Sequence, residues 1–313
     1  MSDQVTDEQL AWTASFCDLP DLVRDGGAAP PPPSFASPGD TTNPSPGPPP
    51  PPPPDGGPDP NKKLYDQGYK DGSLGGSGVC LAHADANGEA AYNRGYADGK
   101  KAYEHRRRAQ KLADDSVTGD SNTTAADTGL IAAHMAEKMP VKEMEALEKA
   151  GIKVKVTRGN VTNYLTDLKG VHPRDWPEGA TWDKVPGTYW APTKEIVIAT
   201  EDAGGGKRKL PGSDLSSSED VFEHESAHAL NRTGAGGLMS DEDDFKSAFD
   251  KDGDKGKFAQ EYYHQRGADG KDSSAGRDEA FAESNAMYIS DPDRLKRECP
   301  HLYDYWHSKL ADE

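Results

Sequence analysis

The sequence predicts an α+β fold: a small mixed sheet with helices packed against it, preceded by a proline-rich linker and a short helical repeat module. Three observations predict it. Apolar residues alternate along Ile152–Val156 and gather along Glu195–Thr200, as strands require. Helical spacing of apolar residues marks Val221–Asn231 and Glu279–Ile289 on the far side of those strands. Prolines crowd residues 28–60 and an eight-residue motif recurs within 61–113, so the first third of the chain adds little to that core.

Composition narrows the function classes. The chain has 313 residues, of which 33% are hydrophobic, and a formal net charge of −18. Such a surface repels a phosphate backbone, which argues against nucleic acid as a partner. Three cysteines, Cys17, Cys80 and Cys299, are far apart and form no C-x-x-C pair, so neither a disulfide framework nor a thiolate metal site is expected. No apolar run is long enough to span a bilayer. The first residues, Met1-Ser-Asp-Gln-Val-Thr-Asp-Glu8, are acidic where a secretory signal carries basic residues. The expectation is synthesis in the cytoplasm and, for action elsewhere, export that reads no cleaved signal.

In chain order, residues 1–27 place Trp12, Phe16 and Leu19 at helical spacing, a candidate docking helix. Residues 28–60, with Pro30–Pro33 and Pro48–Pro54, form an extended spacer that cannot bury a core. In 61–113 the motif Y-x-x-G-Y-x-D-G occurs at Tyr65–Gly72 and again at Tyr92–Gly99. Two short helices packing through tyrosine and glycine are expected there, followed by the basic cluster Lys100–Lys111. Residues 114–128, rich in Asp, Ser, Thr and Gly, read as a second, polar linker. The main domain is expected over 129–313. Its helices Leu130–Met139 and Val141–Ala150 are separated by Pro140, and the second ends at Gly151. The strand at Ile152–Val156 follows, then a hairpin turning at Ala191–Lys194, then a glycine-rich loop over 204–218.

That loop leads into Val221-Phe-Glu-His224-Glu225-Ser-Ala-His228-Ala-Leu-Asn231, which contains H-E-x-x-H. Residues i and i+4 of a helix share a face, so His224 and His228 can offer imidazoles to one metal ion, with Glu225 beside it to take a proton from water. Strand, loop and H-E-x-x-H helix in this order predict a zincin-like metallopeptidase domain. Two histidines leave a third protein ligand to be found. The extension H-E-x-x-H-x-x-G-x-x-H fails, because Asn231 and Gly234 stand where its glycine and third histidine belong. A later helix supplies carboxylates: Glu279 and Glu283 are i and i+4, so one can bind metal while the other accepts a ring N–H of a ligand histidine. A rival site, Asp250-Lys-Asp252-Gly-Asp254 with Glu261 at the twelfth position, imitates a calcium loop. Lys255 stands where that loop needs glycine, which favours a plain acidic loop between helices.

The pair H-E-x-x-H and Asp278-Glu279-Ala280-Phe281-Ala282-Glu283 resembles the catalytic domain of anthrax lethal factor and related bacterial toxin peptidases. The likeness extends to His228-Ala-Leu-Asn231, Phe245–Phe249 and Glu261-Tyr262-Tyr263, and covers roughly residues 130–300. It implies one catalytic zinc ion held by His224, His228 and Glu279, with Glu225 as general base and Glu283 behind a ligand histidine. It implies a tyrosine donor to the oxyanion, for which Tyr263 is the candidate and Tyr262 the alternate. A longer stretch, Gln265–Arg277, separates these tyrosines from Glu279 than the family's pattern has. By analogy the strand Glu195–Thr200 is the sheet edge along which an extended peptide lies. The activity implied is a gluzincin-type endopeptidase acting on a protein or peptide substrate. The implied setting is a secreted toxin or effector, with secretion-machinery or inhibitor proteins as further partners. A different class of reading is an adaptor of a secretion system in which zinc only stabilises the fold. Glu225 argues against it, since a structural site needs no base.

Overall fold

The computed structural model describes residues 61–76, 78, 86–172, 179–211, 220–267 and 270–311. The docking helix expected in 1–27 and the linker expected in 28–60 lie outside the described residues. The chain divides into two compact units, one ending at Arg108 and the other running from Ala109 to the C-terminal region.

The first unit is a helical hairpin. Helix α1 spans Lys62–Ser73, and α2 spans Ala86–Ser116, continuing beyond this unit. The two motif copies pack on each other reciprocally. The Tyr65 hydroxyl donates to Asp98 at 2.8 Å, and the Tyr92 hydroxyl donates to Asp71 at 2.8 Å, so the first tyrosine of each copy binds the aspartate of the other. The four motif glycines make this possible. A Cβ on Gly68 would collide with the Tyr92 carbonyl, and one on Gly95 with the Tyr65 carbonyl. Gly72 and Gly99 are in the same position against Tyr96 and Tyr69. Backbone approaches backbone, with no room for a side chain between. The second helix is not short: it has 31 residues and carries the basic cluster along its surface.

In the second unit a five-stranded sheet is assembled from β1 (Val117–Gly119), β2 (Lys153–Arg158), β3 (Gly187–Trp190), β4 (Glu195–Gly204) and β5 (Lys207–Lys209). The order is β1-β2-β4-β3, with β5 also pairing β4. β1 and β4 run parallel to β2, whereas β3 and β5 are antiparallel to β4. Residues Ile196–Thr200 are all buried, as a strand covered on both faces must be, which accounts for their unbroken apolar run. Two expectations are corrected here. Residues 114–128 are not a linker: Val117–Gly119 is a sheet strand, and helix α3 (Ala125–Lys138) already begins within that stretch. Nor is Glu195–Thr200 an edge, because β2 and β3 flank it on both sides; β3 borders the sheet.

Asp127 explains why the polar stretch folds. Its fully buried carboxylate accepts from the Thr124 N–H at 2.8 Å, reaching back to the start of α3 as a capping residue does. It also accepts from Thr200 Oγ1 at 2.6 Å and from Arg208 Nε at 2.7 Å, and it pairs with Arg158. One side chain thus joins α3 to β2, β4 and β5. Helix α4 (Val141–Ala150) starts after Pro140 and stops at Gly151, whose φ of +74° is the left-handed conformation that ends helices. Helices α5 (Val221–Asn231), α6 (Asp243–Asp252), α7 (Ser274–Ser290), α8 (Pro292–Glu298) and α9 (Pro300–Leu310) complete the unit. Phe245, Phe249, Phe281, Tyr305 and Trp306 pack where α6, α7 and α9 meet. Asp252 is spent on structure. It accepts the His301 and Leu302 backbone N–H groups that open α9, at 2.6 and 3.1 Å, and Lys255 Nζ lies 2.7 Å away. A lysine here does the work that the calcium-loop pattern would assign to a cation.

Candidate metal centre

Helix α5 is buried along all of its eleven residues, wedged between the sheet and α7. Gly187 in β3 lets it come close: a Cβ there would lie 2.6 Å from Val221 and 2.9 Å from Ile198. From this helix His224 and His228 point their Nε2 atoms at one spot, 3.1 Å apart. Glu279 Oε2, from α7, lies 3.5 Å from His224 Nε2 and 3.6 Å from His228 Nε2. Tetrahedral zinc bonds of about 2.0–2.1 Å put neighbouring ligand atoms about 3.3 Å apart, close to all three separations. The donor set, two imidazoles and a carboxylate, also suits zinc chemically. These three residues are the one group of three or more such side chains, among the described residues, close enough to share an ion.

Each imidazole is held from behind. His224 Nδ1 donates to Glu283 Oε2 at 3.3 Å, and His228 Nδ1 donates to Asp278 Oδ1 at 3.0 Å. The earlier histidine pairs with the later carboxylate, so α5 and α7 cross the site in opposite senses. Glu283 is itself paired with Lys257. Asp278 accepts from Asn231 Nδ2 at 2.6 Å, and Arg232 Nη1 approaches it at 3.5 Å. With both Nδ1 atoms protonated, the Nε2 lone pairs face one another across 3.1 Å, an arrangement that a proton or a metal cation relieves. The proton affinities agree. Burial opposes charging His228, but Asp278 and Glu279 outweigh it and raise its pKa to about 9. His224 is likewise raised well above its ordinary value, against burial, by Glu279 and Glu283. His228 and His224 hold Glu279 below the usual carboxylate range despite its burial.

Glu225 stands apart from the ligands. Its Oε2 accepts the Tyr189 backbone N–H of β3 at 2.7 Å, and its buried Oε1 has no hydrogen-bond partner among the described residues. Burial, opposed by the two histidines, pushes its pKa up to about 7. One oxygen is anchored to the sheet and the other is left for a reactant.

The tyrosines exchange places relative to expectation. The Tyr262 hydroxyl donates to Glu279 Oε2 at 2.7 Å, the same oxygen that faces both histidines. The Tyr263 ring is buried against Phe258, and its edge meets Tyr262. On a tight 3-10 turn, Glu261–Tyr263, neighbouring side chains diverge, and the turn aims the first tyrosine at the site. The structure thus brings together His224, Glu225, His228, Glu279, Glu283 and Tyr262, and sets Tyr263 in the core. It adds residues that carried no sequence role: Asp278, Asn231 and Lys257. Only Asp278 was within reach of sequence reasoning, as a carboxylate adjoining Glu279.

A family model described as "Anthrax toxin lethal factor, N- and C-terminal domain" matches residues 110–309. A curated relative, a Pro-Pro endopeptidase of Paenibacillus alvei, is 34% identical over 186 residues, which cover 56% of this chain and 74% of the relative. A solved structure of a Pro-Pro endopeptidase from the same organism is 28% identical, covering 62% of this chain and 97% of that one, with a TM-score of 0.45.

Proposed function

This chain belongs to the anthrax toxin lethal factor family and is a metal-dependent peptidase, and from that premise we propose that it is a zinc endopeptidase that cuts between consecutive prolines. The observation that carries the chemistry is the convergence of His224, His228 and Glu279 beside a carboxylate, Glu225, with one free oxygen. The likeness to a Pro-Pro endopeptidase supports the substrate. A prolyl tract also brings no backbone N–H groups, so burying it in a cleft strands no donors.

His224, His228 and Glu279 would hold zinc, which supplies Lewis acidity to acidify water and polarise the scissile carbonyl. Glu225 takes the proton from the attacking water, and its pKa of about 7 suits the task near neutrality. The Tyr189 N–H keeps one Glu225 oxygen fixed, so the other meets the water in one orientation. Tyr262, whose hydroxyl donates to Glu279 Oε2 before substrate binds, would turn that hydrogen bond to the oxygen on which negative charge develops. Glu225 then passes its proton to the departing proline nitrogen. Asp278 and Glu283 fix the ring orientations of His228 and His224 throughout. A peptide library containing Pro–Pro bonds, incubated with and without a chelator, tests this reading. Chelator-sensitive cleavage between prolines is expected; cleavage only elsewhere would refute the specificity, and no cleavage would refute the activity.

The setting we propose is a toxin or effector acting on proteins outside its cell of origin. Membership of a toxin family supports it. Among the described residues no helix is long and apolar enough to cross a membrane.

A further inference from the structure

The distribution of prolines along the chain bears on what this site cuts first. The sequence contains nine Pro–Pro peptide bonds: three within Pro30–Pro33 and six within Pro48–Pro54. None lies in residues 61–313, although that part has eight further prolines, each isolated: Pro140, Pro173, Pro177, Pro186, Pro192, Pro211, Pro292 and Pro300. Residues 61–313, which hold every described element, are thus free of the bond that the proposed activity breaks, while residues 28–60 concentrate it.

The structure shows what a cut there would spare. Helix α1 begins at Lys62, with Asn61 at its cap, and the last proline of the longer tract is Pro54. Seven residues, 55–61, separate that tract from the helix. The reciprocal Tyr65–Asp98 and Tyr92–Asp71 bonds, the glycine contacts and the whole metal centre lie beyond it. Hydrolysis inside the tract removes none of these contacts.

Resting on the Pro–Pro reading above, we infer that the chain is its own substrate: the metal centre hydrolyses Pro–Pro bonds in residues 48–54 and 30–33 and separates residues 61–313 from the start of the chain. The chemistry balances as ordinary hydrolysis. Water adds across the C–N bond between two prolines; the carbonyl carbon becomes a carboxylate. The following proline leaves as a secondary amine, taking the proton that Glu225 carried. No co-reactant besides water is required.

Cleavage within Pro48–Pro54 removes the first 48 to 53 residues, and cleavage within Pro30–Pro33 the first 30 to 32. The test follows the intact mass and N-terminal residue of the full, zinc-loaded chain over time, beside two variants. One is Glu225→Gln. The other combines Pro31→Ala, Pro32→Ala, Pro49→Ala, Pro51→Ala and Pro53→Ala, which removes all nine bonds. Each protein is also given the peptide library. The expected result is a shortened chain beginning with proline, with shortening slowed about 10²–10⁴-fold in Glu225→Gln. The proline-substituted chain should stay full length while cutting the library within about twofold of the wild-type rate. A wild-type chain that stays intact while cutting Pro–Pro peptides overturns the inference and leaves the proposed activity standing. Equal shortening in Glu225→Gln also overturns it, by pointing to another protease. If neither chain nor library is cut, the proposed activity falls and this inference with it.

Discussion

At the scale of single residues, the site is a set of carboxylates sorted by what each one faces. Glu279 faces both imidazole Nε2 atoms, Asp278 and Glu283 face one Nδ1 each, and Glu225 faces a backbone N–H and a gap. Tyr262 reaches the ligand oxygen and Tyr263 does not, so the two phenylalanine variants should differ. Tyr262→Phe should lower kcat about 10²–10³-fold with little change in KM, because its hydrogen bond matters where charge develops. Tyr263→Phe should stay within a few-fold of wild type. Equal losses in steady-state kinetics would count against Tyr262 as the donor.

The same residues make the metal-free protein sensitive to pH. His228 has a folded pKa of about 9, above its ordinary 6.5. A group raised in this way stabilises the fold fully below the unfolded value, and that contribution is lost as pH rises through the folded one. Glu225, raised to about 7 from 4.5, acts in the same sense over a lower range. The Tm of chelator-treated protein should therefore fall between pH 6.5 and 9. Zinc binding must displace the imidazole proton, so apparent zinc affinity should rise over that interval. An affinity independent of pH would show that the imidazoles are not the ligands.

At the scale of elements, legibility tracked periodicity. The i, i+4 spacing of His224/His228 and Glu279/Glu283 was readable because a helix turns spacing into a shared face. Pro140 and Gly151 marked the ends of α4 by their backbone constraints. β1 was not readable, since three residues in a polar run carry no alternation; its parallel pairing with β2 holds it. Tyr262 and Tyr263 were indistinguishable for a related reason, as adjacent residues on a turn have no period. The motif repeat did announce a tyrosine–glycine hairpin, though its pairing across copies joins residues 33 and 21 apart in the chain, which no local pattern marks. Gly68→Ala should force α1 and α2 apart, because the Tyr92 carbonyl occupies the space of the new methyl group. Hydrogen exchange should then quicken across 62–108 while turnover stays within about twofold. Unchanged protection would contradict the close backbone packing.

At the scale of the whole molecule, the metallopeptidase fold follows a helical hairpin, and the Pro–Pro bonds all precede the first helix of that hairpin, Lys62–Ser73. The family was visible in two short motifs. The sheet order was not, because β4 lies between β2 and β3 and only long-range pairing decides which strand borders the sheet. The central claim is that His224, His228 and Glu279 bind one zinc ion on which Glu225 depends as base. Its most direct measurement is a zinc titration of metal-free wild type and Glu225→Gln, with bound metal and peptide cleavage read in the same samples. Both proteins should bind one zinc per chain. Cleavage should appear in step with binding in the wild type and stay about 10²–10⁴-fold lower in Glu225→Gln. Full cleavage by Glu225→Gln, or cleavage by wild type that does not track the first equivalent of zinc, would contradict the account.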